Sequence, residues 1–241
     1  MMSAHPVVER DAWLASRKAL LEKEKAFLKA RDQLSRERQA LPWVRIEQPY
    51  VFAHADGDIT LAELFEDKSQ LIVCHFMLGP DWNEGCPSCS FWADFYDPAV
   101  VHLAARDVAF AAVSRSSMER IEAYRKRMGW SFTWVSSLAN SFNQDFGVSF
   151  SAQDVANGQV DYNYAQRPAH GEEAPGLSVF SKNAAGEIFH TYSCYARGLD
   201  MMNSAYQLLD LVPKGRDEGD LPFTMAWVRR HDQYEARTTT E

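Results

Sequence analysis

Residues 71–92 read LIVCHFMLGPDWNEGCPSCSFW. The first eight residues form an apolar run broken only by His75, which is typical of a strand buried on both faces of a sheet. A short loop with Gly and Pro follows, and Cys86 and Cys89 stand where a helical pattern begins. A strand, a loop and a C-x-x-C at a helix start make one thiol acidic and keep a second thiol within its reach.

The residues around the two cysteines assign each a different role. Pro87 suits the first position of a helix, which makes Cys86 the predicted N-cap. The free amides of Ser88 and Cys89 and the positive helix end then favour a Cys86 thiolate. We predict that Cys86 is the catalytic nucleophile and that Cys89, one turn further, is the catalytic resolving thiol.

Two other interpretations of the cysteine pair stay open. A C-x-x-C is half of many zinc sites, but the chain has no second C-x-x-C or H-x-x-x-H. The missing ligands would be Cys74, Cys194 or a scattered histidine, so we predict no metal and no cofactor. Alternatively, both cysteines are inert, either because they are structural or because the chain keeps the fold and has lost the activity.

Several neighbours of the pair carry their own predictions. Trp82, in the loop before the thiols, is a candidate substrate contact. The carboxylate of Glu84, like that of Asp81, is expected to raise the Cys86 pKa. Arg115 and Arg197 are expected to lower it. In the strand, Cys74 is predicted to be buried and inert, and His75 to be a core histidine with its hydrogen bonds satisfied.

Strands and helices alternate after residue 43 and then give way to a hairpin, which predicts an α/β sandwich with a mixed sheet. The predicted strands are 44–46, 50–52, 71–77, 108–113, 132–135, 177–180 and 187–192. The main predicted helices begin after Cys86 and at residues 117 and 200. Ser117 is the expected N-cap of the second of these helices and Gly129 its stop.

Residues 9–40 contain no Gly or Pro and predict one long amphipathic helix that ends before Pro42. Its apolar residues recur every seven positions: Trp13, Leu20, Phe27, Leu34 and Leu41. We expect this stripe to pack along its own domain or against a second copy in a homodimer. The predicted organisation is an N-terminal helical arm (1–42), a domain (43–212) with an irregular polar insertion (151–175), and a C-terminal tail (213–241).

The totals exclude some functions. The formal net charge is −8, which argues against a nucleic-acid surface, since such surfaces need clustered Lys and Arg. The longest apolar run is far shorter than the roughly 20 residues that span a bilayer. The first residues show no secretory signal pattern. We therefore predict a cytoplasmic protein with no membrane or nucleic-acid partner.

Six phrases resemble a known family: HPVV (5–8), LPWV (41–44), HFMLGPDW (75–82), GCPSCSFW (85–92), YARGLD (195–200) and WVRRHD (227–232). They are similar to the thioredoxin-like proteins of unknown function called DUF899. The resemblance implies a thioredoxin-like three-layer α/β/α sandwich in which Cys86 and Cys89 are the redox pair. It also places Pro175 where such folds have a cis-proline that faces the thiols. Trp82, Pro87, Ser88 and Pro175 are thus the expected substrate-binding residues.

Other phrases look like peroxiredoxins. DFGV (145–148) and Cys86-Pro87 have counterparts there, but that family has a Thr three residues before its cysteine, where this chain has Asn83. The leading prediction is a thiol–disulfide oxidoreductase whose partner is a protein or small-molecule thiol or disulfide. The alternatives are a peroxiredoxin-like peroxidase and a non-enzymatic binding or assembly module.

Overall fold

The computed structural model describes residues 5–235, and its contacts separate two compact units, Met1–Pro42 and Trp43–Glu241. The first unit contains the 30-residue helix α1 (Arg10–Gln39), as the sequence predicts. Its first turn contains Asp11, and its last turn contains Arg36 and Arg38. These charges interact favourably with the helix dipole. No residue of α1 is buried, so its apolar stripe stays partly exposed.

The second unit contains ten strands between residues 43 and 235. They are β1 (Val44–Arg45), β2 (Val51–His54), β3 (Gly57–Thr60), β4 (Gln70–His75), β5 (Val108–Ser114), β6 (Thr133–Ser136), β7 (Gln159–Tyr162), β8 (Ala165–Pro168), β9 (Gly176–Lys182) and β10 (Ile188–Tyr195). Six α-helices accompany them in the described part of this unit. They are α2 (Pro87–Tyr96), α3 (Val100–Ala104), α4 (Met118–Met128), α5 (Phe142–Asp145), α6 (Ala152–Ala156) and α7 (Ser204–Leu209).

Eight strands form one mixed sheet in the order β1-β10-β9-β4-β5-β6-β2-β3. The central strands β4, β5 and β6 are parallel, and the helices α2 and α4 connect them. β9 pairs antiparallel with β4 and leads by a hairpin into β10. Parallel central strands joined by helices, with an antiparallel hairpin at one side, give the predicted thioredoxin-like α/β/α sandwich.

The alternation of side chains along β4 separates two cores. Leu71 and Val73 pack on the face covered by α5, together with Phe142 and Phe180. Cys74 packs on the opposite face, with residues of α2 and α4. Because successive residues of a strand point to opposite faces, an apolar run can fill both layers at once. This burial holds the end of β4 rigidly, which fixes the point where the cysteine loop begins.

The helix α4 begins and ends where the sequence predicts. The hydroxyl of Ser117 accepts a hydrogen bond from the Arg120 amide, 3.4 Å away. Gly129 closes the helix in the left-handed conformation, with φ of 69°, which glycine adopts without steric cost.

The prediction of an irregular insertion at 151–175 is wrong. Ser151 caps α6 through a reciprocal capping box with Asp154. β7 and β8 form a hairpin whose two turn residues, Asn163 and Tyr164, both have positive φ (54° and 61°). Tyrosine rarely occupies such a turn, so the sequence carries no conventional turn signal there.

The last predicted helix, 200–211, is also shorter than expected. A 3-10 segment covers Ala196–Met202, and α7 occupies only Ser204–Leu209. Asn203 separates them, because its side chain accepts a hydrogen bond from the Tyr206 amide and caps α7.

Replacing Phe180 by Ala should cost about 3–5 kcal/mol of unfolding free energy, because Phe180 is fully buried among the rings of Phe142 and Phe146. The same substitution at Phe223, which is 67% exposed, should change stability by less than about 0.5 kcal/mol. Chemical denaturation followed by circular dichroism measures both. Equal losses for the two variants would contradict the placement of the core.

Candidate active site

The cysteine pair lies after the end of β4, at the start of α2. β4 ends at His75, and the backbone amide of Cys86 donates to the Met77 carbonyl at 3.0 Å, which folds the loop back on the strand end. Cys86 is the N-cap of α2 and Pro87 is its first residue. The Cys86 carbonyl accepts from the Ser90 amide at 3.0 Å and so starts the helix. The predicted N-cap position of Cys86 is thus observed.

The pKa values of the two thiols are shifted in opposite directions. Cys86 is half-buried and Cys89 is buried, and both are free thiols. The pKa of Cys86 is lowered to about 6, chiefly by the Cys89 thiol; burial opposes this shift, and the amides of Cys89 and Ser88 support it. The sulfur does not close a capping hydrogen bond of standard geometry, but the amide dipoles still favour its thiolate.

Cys89 shows the reverse behaviour. Its pKa is raised well above the ordinary value by the interaction with Cys86 and by burial. At neutral pH the arrangement therefore holds one thiolate beside one protonated thiol. A nucleophilic sulfur with a second, protonated sulfur next to it is the chemistry that two successive thiol–disulfide exchanges require.

A cavity of about 500 Å³ opens beside the two sulfurs. Of the expected substrate-binding residues, Ser88 and Pro175 line it. Pro87 and Trp82 do not: Pro87 begins α2, and the Trp82 indole packs at Gly79 with 37% of the residue exposed. The structure thus brings together four of the six predicted site residues.

Pro175 occupies the predicted place but not the predicted conformation. All peptide bonds between residues 5 and 235 are trans, so the expectation of a cis-proline is wrong. The preceding residue is held by a hydrogen bond from the Ala174 amide to the Val148 carbonyl at 2.8 Å. The Pro175 carbonyl accepts from the Tyr162 hydroxyl at 2.6 Å. These contacts hold the segment against the cavity in the trans form, which is the intrinsically preferred one.

The C-terminal segment supplies site residues that the sequence did not indicate. Met225 lines the cavity, and the guanidinium of Arg230 donates to the Gly85 carbonyl at 2.7 Å and to the Tyr124 hydroxyl at 3.0 Å. Gly85 is buried directly before Cys86, and an added Cβ there would approach Phe76 and Tyr124 to 2.6 Å. The phrase WVRRHD contributed to the family resemblance, but its chemistry gave no sign of this contact.

The charges near the pair differ from expectation. Glu84 is paired with Arg127 and, at 3.0 Å, with Arg230, and these cations lower the pKa of its carboxyl. Its negative charge is therefore compensated by two arginines, and the main causes of the Cys86 pKa shift are the Cys89 thiol, burial and the neighbouring amides instead. Arg115 binds Glu172 and Glu173 instead of facing the thiols.

The neighbouring strand residues are buried, as predicted. Burial raises the pKa of Cys74 to about 12, so its thiol stays protonated although it lines the cavity. His75 pairs through Nε2 with the Ser178 hydroxyl at 2.8 Å, but its Nδ1 forms no hydrogen bond of standard geometry, so the prediction of fully satisfied hydrogen bonds is met at only one ring nitrogen. Burial lowers the pKa of His75 to about 3, so the ring is neutral.

The model of the family described as a bacterial protein of unknown function, DUF899, matches residues 2–234. The chain belongs to this family. No curated protein matches the chain. Within residues 5–235, no group of three or more His, Cys, Asp or Glu could hold a metal ion, and no helix is long and apolar enough to cross a membrane.

Three solved structures are similar to this member of the family. Peroxiredoxin Q from Xanthomonas campestris has 14% identity and a TM-score of 0.45, over 68% of this chain and 92% of its own. Peroxidoxin BcpB from Mycobacterium tuberculosis has 9% identity and a TM-score of 0.46, over 70% and 97%. A hypothetical protein from Sinorhizobium meliloti 1021 has 18% identity and a TM-score of 0.43, over 73% and 86%.

Replacing Arg230 by Met should raise the Cys86 pKa and cost roughly 1.5–3 kcal/mol of stability, because the buried Gly85 carbonyl loses its charged donor and the loop before Cys86 loosens. Arg229→Met is the matched control, since the Arg229 guanidinium donates to the Ala226 and Val228 carbonyls of the tail. The pH dependence of Cys86 alkylation measures the pKa. An Arg230→Met profile that matches Arg229→Met would contradict a positioning role.

Proposed function

We propose that the protein is a thiol–disulfide oxidoreductase in which Cys86 is the nucleophile and Cys89 the resolving thiol. The observation that supports this proposal is the half-buried, acidic Cys86 at the start of α2, with the protonated Cys89 thiol against it and a cavity beside both. Lowered pKa and access to a ligand distinguish reactive cysteines from structural ones.

The reaction proceeds in two exchanges. The Cys86 thiolate attacks one sulfur of a substrate disulfide, forms a mixed disulfide and expels the other substrate sulfur as a thiolate, which takes a proton from water. Cys89 then loses its proton and attacks Cys86, which forms the Cys86–Cys89 disulfide and releases the second substrate thiol. The substrate gains two electrons and the protein loses two. A dithiol reductant restores the pair by the reverse exchanges.

A thiol peroxidase is the second candidate. A thiolate followed by proline at a helix start can also attack a peroxide oxygen. The O–O bond then breaks, the other oxygen leaves as water or an alcohol, and the resulting Cys86 sulfenic acid would be resolved by Cys89, which forms the disulfide and releases water. Asn83 stands where peroxiredoxins carry a hydroxyl, so disulfide exchange is the better-supported reaction. If peroxide oxidises the reduced protein faster than a small disulfide does at equal concentration, the order of the two candidates reverses.

Reduced protein mixed with dithiodipyridine should release two equivalents of pyridinethione in two steps and end with a Cys86–Cys89 disulfide. Cys89→Ser should stop after one equivalent, with the mixed disulfide on Cys86. Cys86→Ser should lose the fast step. Cys194→Ser is the control, since this buried cysteine lies outside the cavity lining. Peptide mass mapping identifies the products, and wild-type kinetics in Cys86→Ser would contradict the proposal.

A further inference from the structure

Several separate parts of the chain line the cavity beside the Cys86 sulfur, and its large apolar walls come from three of them. Trp92 and Tyr96 of α2 form one side, Leu199 of the 3-10 segment forms another, and Met225 of the tail forms a third. The cavity volume of about 500 Å³ lies within the range of small-molecule pockets. A pocket of this size accommodates one half of a small disulfide beside the Cys86 sulfur.

The walls are mostly apolar, and the polar groups in them are already partnered or neutral. The Trp92 indole N–H donates to the Leu199 carbonyl at 2.8 Å, so the ring offers the cavity only its hydrocarbon surface. Ser88 and Tyr96 contribute hydroxyls, which can meet a neutral polar group but cannot compensate a full charge. Burying an unpaired charge against such walls is costly.

The charged residues at the rim compensate one another. Arg216 binds Asp200 at 2.8 Å and Asp210 at 2.7 Å, which occupies its donors on both sides. The Arg197 side chain is 83% exposed and lies 3.7 Å from Asp200. These four side chains carry two positive and two negative charges, so the rim adds no net charge of its own to that of the Cys86 thiolate.

We propose that the substrate of this site is a small organic disulfide with uncharged, apolar substituents. This inference rests on the proposed function and narrows it from disulfides in general to one class. One apolar half of the disulfide occupies the cavity while the S–S bond faces Cys86. Exchange then yields two small apolar thiols for each Cys86–Cys89 disulfide formed, with the electron balance given above.

The test compares four oxidants of the reduced protein: diethyl disulfide, cystamine with two positive charges, dithiodiglycolate with two negative charges, and insulin. Each rate constant is divided by that of dithiothreitol with the same oxidant, which removes intrinsic reactivity. Diethyl disulfide should exceed each of the others by about tenfold or more, which corresponds to about 1.4 kcal/mol of selective binding. Equal ratios, or the highest ratio for insulin or a charged disulfide, would overturn the inference.

A cavity-filling substitution makes the test specific. Leu199→Trp, or Met225→Trp if the first variant does not fold, should remove most of the preference for diethyl disulfide, while an unchanged far-ultraviolet circular dichroism spectrum shows that the fold is retained. Leu208→Trp is the matched control, because Leu208 is 63% exposed on α7. A preference that survives in the filled variants contradicts the cavity's role. If no oxidant forms the Cys86–Cys89 disulfide, the proposed function itself fails; if all form it alike, only the substrate class fails.

Discussion

The contact between the Cys86 and Cys89 sulfurs at the first turn of α2 is the interaction on which the site depends. The protonated Cys89 thiol stabilises the Cys86 thiolate, and the thiolate in turn keeps the proton on Cys89. The pair therefore titrates as a unit rather than as two independent thiols. Pro87 supports this contact indirectly. It is the first residue of α2, and a helix that starts there places both sulfurs on the same side of the helix.

The rest of the second unit holds that turn in place from several directions. The loop begins at the end of the buried β4, and the Cys86 amide donates a hydrogen bond to the Met77 carbonyl. Arg230, from the C-terminal tail, donates to the Gly85 carbonyl. The same arginine compensates Glu84, so that a carboxylate close to Cys86 in sequence does not oppose the thiolate. Arg230 thus both holds the loop before Cys86 in position and compensates the charge of Glu84. For this reason the tail belongs to the site although it is remote in sequence.

The sequence predicts the parts of this structure that depend on local signals. The apolar run before the loop, the Cys86 N-cap and the Ser117 and Gly129 helix limits all follow from patterns within a few residues. The features that the sequence did not predict have other origins. The Arg230 contact and the trans Pro175 depend on residues far away in the chain. The Asn163-Tyr164 turn has a positive φ at both residues, which a tyrosine does not predict. Trp82 is near the thiols in sequence, yet its indole packs at Gly79 rather than along the cavity.

The most direct test of the central contact is a pH titration of the thiolate by its ultraviolet absorbance in the reduced protein. A thiolate absorption should appear with a midpoint near the pKa of about 6 as the pH rises, and Cys89→Ala should move that midpoint upward because the donor to Cys86 is lost. Cys74→Ala should leave the midpoint unchanged, since Cys74 stays protonated to a pKa of about 12. A wild-type midpoint at the value of free cysteine, or one unaffected by Cys89→Ala, would contradict the account.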